Sequence, residues 1–238
     1  MTTLARLDTL NGAKNFNDAV FRKVAPFIGT DVLEVGMGIG IFTERILERA
    51  RTVVGVDIVP EFLDIAREKF RGRPAVEIHQ ADMGAGIPPF LSGRTFDTIV
   101  CMNVLEHIER DDRAVRDFLT LLAPGGRLVL VVPQYPWLYN TLDSNDGHFR
   151  RYREAGLRRL LLDAGFEIVH ESRFNLAGIL GWFVNGSLLR RRELPTGQLG
   201  LYDRLIPWLF RLESWSGPPA GLSLMMVGRR PDGNNGPG

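Results

Sequence analysis

The chain is poor in lysine and cysteine. Only Lys14, Lys23 and Lys69 among its 29 cationic residues are lysines, and Cys101 is its one cysteine. A single thiol excludes an intrachain disulfide and a cysteine-rich zinc site, and it fits a reducing, cytoplasmic setting. An excess of one charge is also missing. Twenty-nine Lys and Arg stand against 28 Asp and Glu for a net charge of +1, so bulk attraction to a polyanion is negligible and no nucleic-acid partner is expected. Long hydrophobic runs are absent as well. The most apolar stretch, 174–189, is broken by Asn175 and Asn185 and falls short of the roughly 20 residues a membrane-spanning helix needs. The first 15 residues hold no apolar run between a basic start and a small-residue cleavage site, so neither a leader peptide nor stable membrane insertion is expected.

What remains is ordinary globular material, 45% hydrophobic and 24% charged over 238 residues, enough for one domain. Its expected extent is 1–230, followed by a flexible tail at 231–238 that has nothing to bury. Short β-branched runs alternate with stretches of helical period, the pattern of βαβ units around a parallel sheet. The runs 32–35, 52–57, 75–80, 96–102, 127–132, 166–172 and 222–227 read as seven strands. An N-terminal helix is expected over about 15–27. Pro60 opens a helix whose apolar face carries Phe62, Leu63, Ala66 and Phe70. Asp111 is the expected cap of a helix striped by Ala114, Val115, Phe118, Leu119 and Leu122, and a further helix ends at Gly165. The segment 176–219 is too long for a turn and reads as a helical insertion between strands 6 and 7. Leu199, Tyr202, Leu205, Ile206, Leu209 and Leu212 keep helical spacing there despite Pro207.

The most informative segment is Glu34-Val35-Gly36-Met37-Gly38-Ile39-Gly40, where a buried strand runs into a glycine-rich turn and then a helix. Glycines allow positive φ and remove the Cβ that would block a nucleotide-like ligand, while the helix start offers unpaired N–H groups. The spacing fits the dinucleotide pattern G-x-G-x-x-G poorly, since Ile41 stands where the third glycine belongs. About 20 residues on, Asp57 ends the second strand, where a carboxylate can accept both hydroxyl protons of a ribose. Asp82 follows the third strand, placed to accept from an adenine amino group, with Ile58 and Met83 supplying apolar contacts to its ring. Asn103, Val104 and Leu105 close the fourth. Any one of these acids alone is more often a helix cap or turn former than a ligand. Together they stand at successive carboxyl ends of parallel strands, where α/β sheets bind ligands.

With these residues together the chain resembles the class I, Rossmann-like S-adenosylmethionine-dependent methyltransferases over roughly 30–230. The resemblance implies a seven-stranded, mostly parallel sheet with an antiparallel last strand and helices on both faces. It also implies that Glu34, Gly36, Met37, Gly38 and Gly40 hold the methionine part of the cofactor, Asp57 its ribose and Asp82 its adenine. Asn103-Val104-Leu105-Glu106-His107-Ile108 is similar to the family's segment after the fourth strand, and Leu121-Leu122-Ala123-Pro124-Gly125-Gly126 to its turn before the fifth. The product would be S-adenosylhomocysteine.

Asp146-Gly147-His148-Phe149-Arg150-Arg151-Tyr152 resembles an element of a widespread bacterial group of such enzymes, some connected with secondary metabolites or polysaccharides. His148 is the candidate base, since imidazole titrates near 6.5 and can take a hydroxyl proton as the methyl arrives; the competing role is to orient the loop. Tyr139, Arg151 and Tyr152 are candidate acceptor contacts, and Arg150, Tyr135 and Trp137 stand beside them. His107 is a reserve base. The four histidines show no close ligand spacing, so no metal is expected. Asn15 and Asn17 are candidates to fold over the cofactor. For the insertion, with Trp182, Phe183, Trp208 and Trp215, three readings rank in order: a lid over the acceptor, a homodimer contact, and a membrane-surface contact beside Arg190-Arg191-Arg192. The function expected is methyl transfer to a small molecule, with O-methylation of a secondary metabolite or sugar-type substrate first and N- or C-methylation as alternatives. An NAD(P)-dependent oxidoreductase and a non-catalytic S-adenosylmethionine-binding protein are the rival classes.

Overall fold

In the computed structural model, residues 13–216 and 219–233 are described. The expected tail therefore lies outside the described residues beyond Gly233, as do the first 12 residues and the side chain of Trp215.

In chain order the elements are α1 (Lys14–Val24), β1 (Asp31–Val35), α2 (Ile41–Ile46), β2 (Thr52–Asp57), α3 (Pro60–Lys69), β3 (Val76–Gln80), β4 (Phe96–Met102), α4 (Asp111–Leu121), β5 (Leu122–Pro133), α5 (Thr141–Asp146), α6 (Glu154–Ala164), β6 (Glu167–Phe174), α7 (Leu176–Trp182), α8 (Thr196–Ser216) and β7 (Ser223–Arg229). A π-helical turn, Phe183–Leu188, continues α7. The sheet order is β3-β2-β1-β4-β5-β7-β6. The first five strands are parallel, and β7 runs antiparallel to both β5 and β6. All seven expected strands are present, most shifted by a residue or two at their ends.

The central strands are near-continuous apolar runs because helices cover both faces of the sheet. On one face, Leu33, Ile99, Leu128 and Leu130 pack with Phe118 of α4 and Leu157 and Leu161 of α6. On the other, Val129, Val131 and Met225 pack with Val20 and Val24 of α1 and Ile206 and Phe210 of α8.

Two local expectations are corrected. Asp111 is the first helical residue of α4, not its cap, and makes no capping bond. Its carboxylate instead accepts from the Tyr152 hydroxyl at 2.8 Å and pairs with Arg150 at 2.8 Å. In α8 the buried stripe is Asp203, Ile206, Phe210 and Glu213, whereas Leu205 and Leu212 face outward. Spacing of apolar residues alone does not find this stripe because its two ends are acids. Asp203 accepts from the N–H groups of Asn15 at 3.2 Å and Phe16 at 2.8 Å, the open N-terminus of α1. Glu213 accepts from Asn175 and Leu176 at 2.9 and 2.7 Å, the start of α7. Each acid satisfies orphan helix donors that the local sequence leaves uncapped or only partly capped.

Candidate functional site

The carboxyl ends of β1, β2 and β4 open on a cavity of about 560 Å³. Backbone turns at Gly36 and Gly38 shape its floor. Gly36, Gly38 and Gly40 have φ of 74°, 54° and 77°, the left-handed region that a side chain disfavours. At Gly36 a Cβ would also strike Val104 at 2.1 Å, while the space over Gly38 is open. The Asp57 carboxylate accepts from the N–H of Gly38 at 2.8 Å and of Val59 at 3.0 Å. One bond on each oxygen leaves further acceptor positions on a group that lines the cavity. Asp82 and Met83 follow on the same wall, with Ile58, 60% exposed, at the mouth. Asn103 lines it too, held at φ 52° by its N–H bond to Val131 O at 2.8 Å.

Another part of the wall is built by residues distant in sequence. His148, His107, Leu142 and Asn17 line it, joined by Trp182 and Arg192 from the insertion. Asp143, on α5, organises this wall without reaching the cavity. Its Oδ1 meets His148 Nδ1 at 2.9 Å and accepts from Arg151 Nε at 2.7 Å; its Oδ2 accepts from Asn140 N at 3.0 Å and Trp182 Nε1 at 3.1 Å. Burial works to raise the pKa of this carboxyl. The His148 bond, the Arg151 charge and the Trp182 bond outweigh it and hold the group below its ordinary value. The loop is further pinned by Tyr139, whose hydroxyl donates to His148 O at 2.7 Å, and by Phe149 N–H donating to Glu106 O at 2.9 Å. Glu106 is itself buried, which pushes its carboxyl up to about 7, and its Oε2 has no hydrogen-bond partner.

The comparisons with known proteins decide the family. Residues 9–171 match the family model described as a methyltransferase domain. The chain belongs to that family. A probable S-adenosylmethionine-dependent methyltransferase of Mycobacterium tuberculosis is 31% identical over 167 residues, 69% of this chain and 59% of that one. The mitochondrial ubiquinone biosynthesis O-methyltransferase of Schizosaccharomyces pombe is 31% identical over 121 residues, 49% of this chain and 42% of that one. Matches to the curated relatives thus span about half of those proteins' length. An S-adenosylmethionine-dependent methyltransferase structure from Mesorhizobium loti superposes with a TM-score of 0.63 at 17% identity, covering 89% of this chain and 96% of that one, which shows the shared fold.

The cofactor of this methyltransferase domain is S-adenosylmethionine, and the cavity fits it. A cavity of this size suits a small ligand, the glycine turns clear a path for it, and Asp57 offers a carboxylate to a vicinal diol. Several expected contacts do not reach the wall. Glu34 is buried beneath the loop, where it accepts from Thr43 Oγ1 at 2.6 Å. Gly40 caps α2 against Phe70, and Leu105 is fully buried in the core. Met37 lines the cavity while its side chain turns away under Gly55. The three expected acceptor contacts, Tyr139, Arg151 and Tyr152, do not line it either. Arg151 is spent on Asp143, on Gln134 O at 3.1 Å and on the Trp182 ring, and Tyr152 on Asp111. Asn15 ties α1 to Asp203 rather than covering the cavity.

Proposed function

We propose that this methyltransferase acts on the oxygen of a small hydroxylated acceptor, of secondary-metabolite or sugar type, at the corner of the cavity that His148 forms. When bound, S-adenosylmethionine supplies an electrophilic methyl group. The observation that carries the reading is the Asp143–His148 pair, with Asp143 fully buried behind a His148 that lines the same cavity as the glycine loop. Asp143, held ionised, accepts from Nδ1–H and so leaves Nε2 as the imidazole's proton acceptor. A hydroxyl presented there can pass its proton to Nε2, and the carboxylate then steadies the imidazolium. The name of the ubiquinone-biosynthesis relative, an O-methyltransferase, favours oxygen over nitrogen or carbon.

The insertion supports this reading as part of the cavity wall. Trp182, Arg192 and Leu194 line the cavity. Trp208, 70% exposed with Leu201, Leu205 and Leu212 on the outer side of α8, is left for the second-ranked role, a contact between two copies. Among the described residues no helix is long and apolar enough to cross a membrane.

The test is S-adenosylhomocysteine release across a panel of phenols, sugars and amines. Hydroxyl acceptors are expected to turn over, and His148→Ala to lower that turnover by about a hundredfold while calorimetric affinity for S-adenosylhomocysteine stays unchanged. Turnover confined to amines, or undiminished in the variant, would overturn the assignment.

A further inference from the structure

Glu106 and His107 are adjacent in sequence, and 41 residues separate His107 from His148. The fold sets one donor atom from each within 4.8 Å of the other two. The His107 and His148 rings touch edge to face, centroids 4.6 Å apart at 84°. Both line the cavity. Glu106, 1% exposed, brings to this cluster a carboxylate oxygen that no donor satisfies, and such a group in a folded interior calls for an ion or a water.

We propose that Glu106, His107 and His148 bind one divalent transition-metal cation on the cavity wall. Two imidazoles and one carboxylate with open positions form a set that suits first-row divalent metals. Donors sharing a cation at about 2.1 Å stand about 3 to 4 Å apart, so the cluster closes on a cation with a small tightening. The surroundings are prepared for it. His148 Nδ1 is bonded to Asp143 at 2.9 Å, the carboxylate–histidine arrangement that fixes the tautomer and aims the other nitrogen at a metal. Arg151 balances the charge of Asp143 at 2.7 Å. The sites left open face the cavity, where they suit a hydroxyl or a vicinal pair of oxygens.

The inference rests on the assignment of this cavity to methyl transfer and adds to it. In the cation-free protein His148 Nε2 takes the acceptor's proton. With the cation seated, Nε2 is a ligand, the coordinated hydroxyl is made more acidic, and its proton passes to water.

The experiment uses the untagged full chain, stripped with a chelator and titrated with Co2+. One equivalent is expected to bind and to give the visible d–d bands of nitrogen-ligated cobalt. Glu106→Gln and His107→Gln are each expected to weaken that binding at least tenfold. Glu106→Gln, which lies behind the cavity wall, is expected to keep its S-adenosylhomocysteine affinity, which verifies that it folds. Absence of the bands in the unaltered chain, or equal binding in folded variants, would overturn the cation site and leave the methyl-transfer assignment standing. Failure of the unaltered chain to bind S-adenosylhomocysteine would instead remove the assignment on which it rests.

Discussion

Asp143 carries more of the site than any residue the sequence singled out. Its carboxylate takes bonds from His148, Arg151, Asn140 and Trp182 and is wholly buried. Asp143→Asn keeps the volume but leaves the Arg151 guanidinium, 1% exposed, without its counter-charge. Breaking a buried pair in this way costs about 3 to 5 kcal/mol. Chemical denaturation is expected to show a loss of that order, and a loss below about 1 kcal/mol, the range of an exposed pair, would show that Arg151 finds another partner. Glu34 makes a separate case. Burial pushes its carboxyl up to about 8, against the lowering effect of the Thr43 bond, and the charge of Asp57 adds to the rise. A group whose pKa is higher folded than unfolded stabilises the fold fully below the unfolded value near 4.5, and that contribution is lost as pH rises to about 8. Glu34→Gln is expected to flatten this loss, gaining on the parent by up to about 1.4 kcal/mol per pH unit across that window. Parallel stability curves for the two proteins between pH 5 and 8 would mean that Glu34 is ionised in the fold.

At the scale of elements, α8 acts as a clasp. Ile206 and Phe210 supply the apolar contact to the sheet face, and Asp203 and Glu213 at either end take up the open N-termini of α1 and α7. A capping acid removed costs about 1 kcal/mol, and up to about 2 where the cap is buried. Asp203→Ala is therefore expected to lower the melting temperature by several degrees, and Asp203→Asn by less, since an amide oxygen still accepts. Protease sensitivity should rise first at the start of α1. An unchanged melting temperature for Asp203→Ala would assign the docking of α1 to apolar packing alone. This pairing was illegible in the sequence. Asp203 and Asn15 are 188 residues apart, and a buried acid in a helical stripe looks like a surface position until its partner is known.

For the molecule as a whole, the site lies where the ends of β1, β2, β3 and β4, two histidine-bearing loops and the insertion meet, so a ligand there couples elements from Asn17 to Leu194. A ligand that binds only the folded state stabilises it by about 2.7 kcal/mol at one hundred times its dissociation constant. S-adenosylhomocysteine is accordingly expected to raise the melting temperature in a concentration-dependent way, and Asp57→Ala to abolish the shift. NADH is expected to produce none. A shift with NADH, or one that survives Asp57→Ala, would contradict the role given to the β2 carboxylate.

The division between what sequence determined and what tertiary structure decided follows from distance along the chain. The strand–glycine turn–helix, Asp57 and Asp82 are local features. Backbone geometry at Gly36 and Gly38 and the period of each strand constrain them within a few residues, so composition and spacing suffice to place them at the carboxyl edge of a parallel sheet. The histidine-bearing wall and its support are made by pairings over long separations: Asp143 with Trp182, Glu106 O with Phe149 N–H, Asp203 with α1. Burial there turns Arg151 and Tyr152 from candidate substrate contacts into structural ties, because a buried polar group must find its partner inside the protein. Which of several arginines, tyrosines and histidines in a loop faces a ligand is set by where the rest of the chain closes over them, and only the folded molecule decides that.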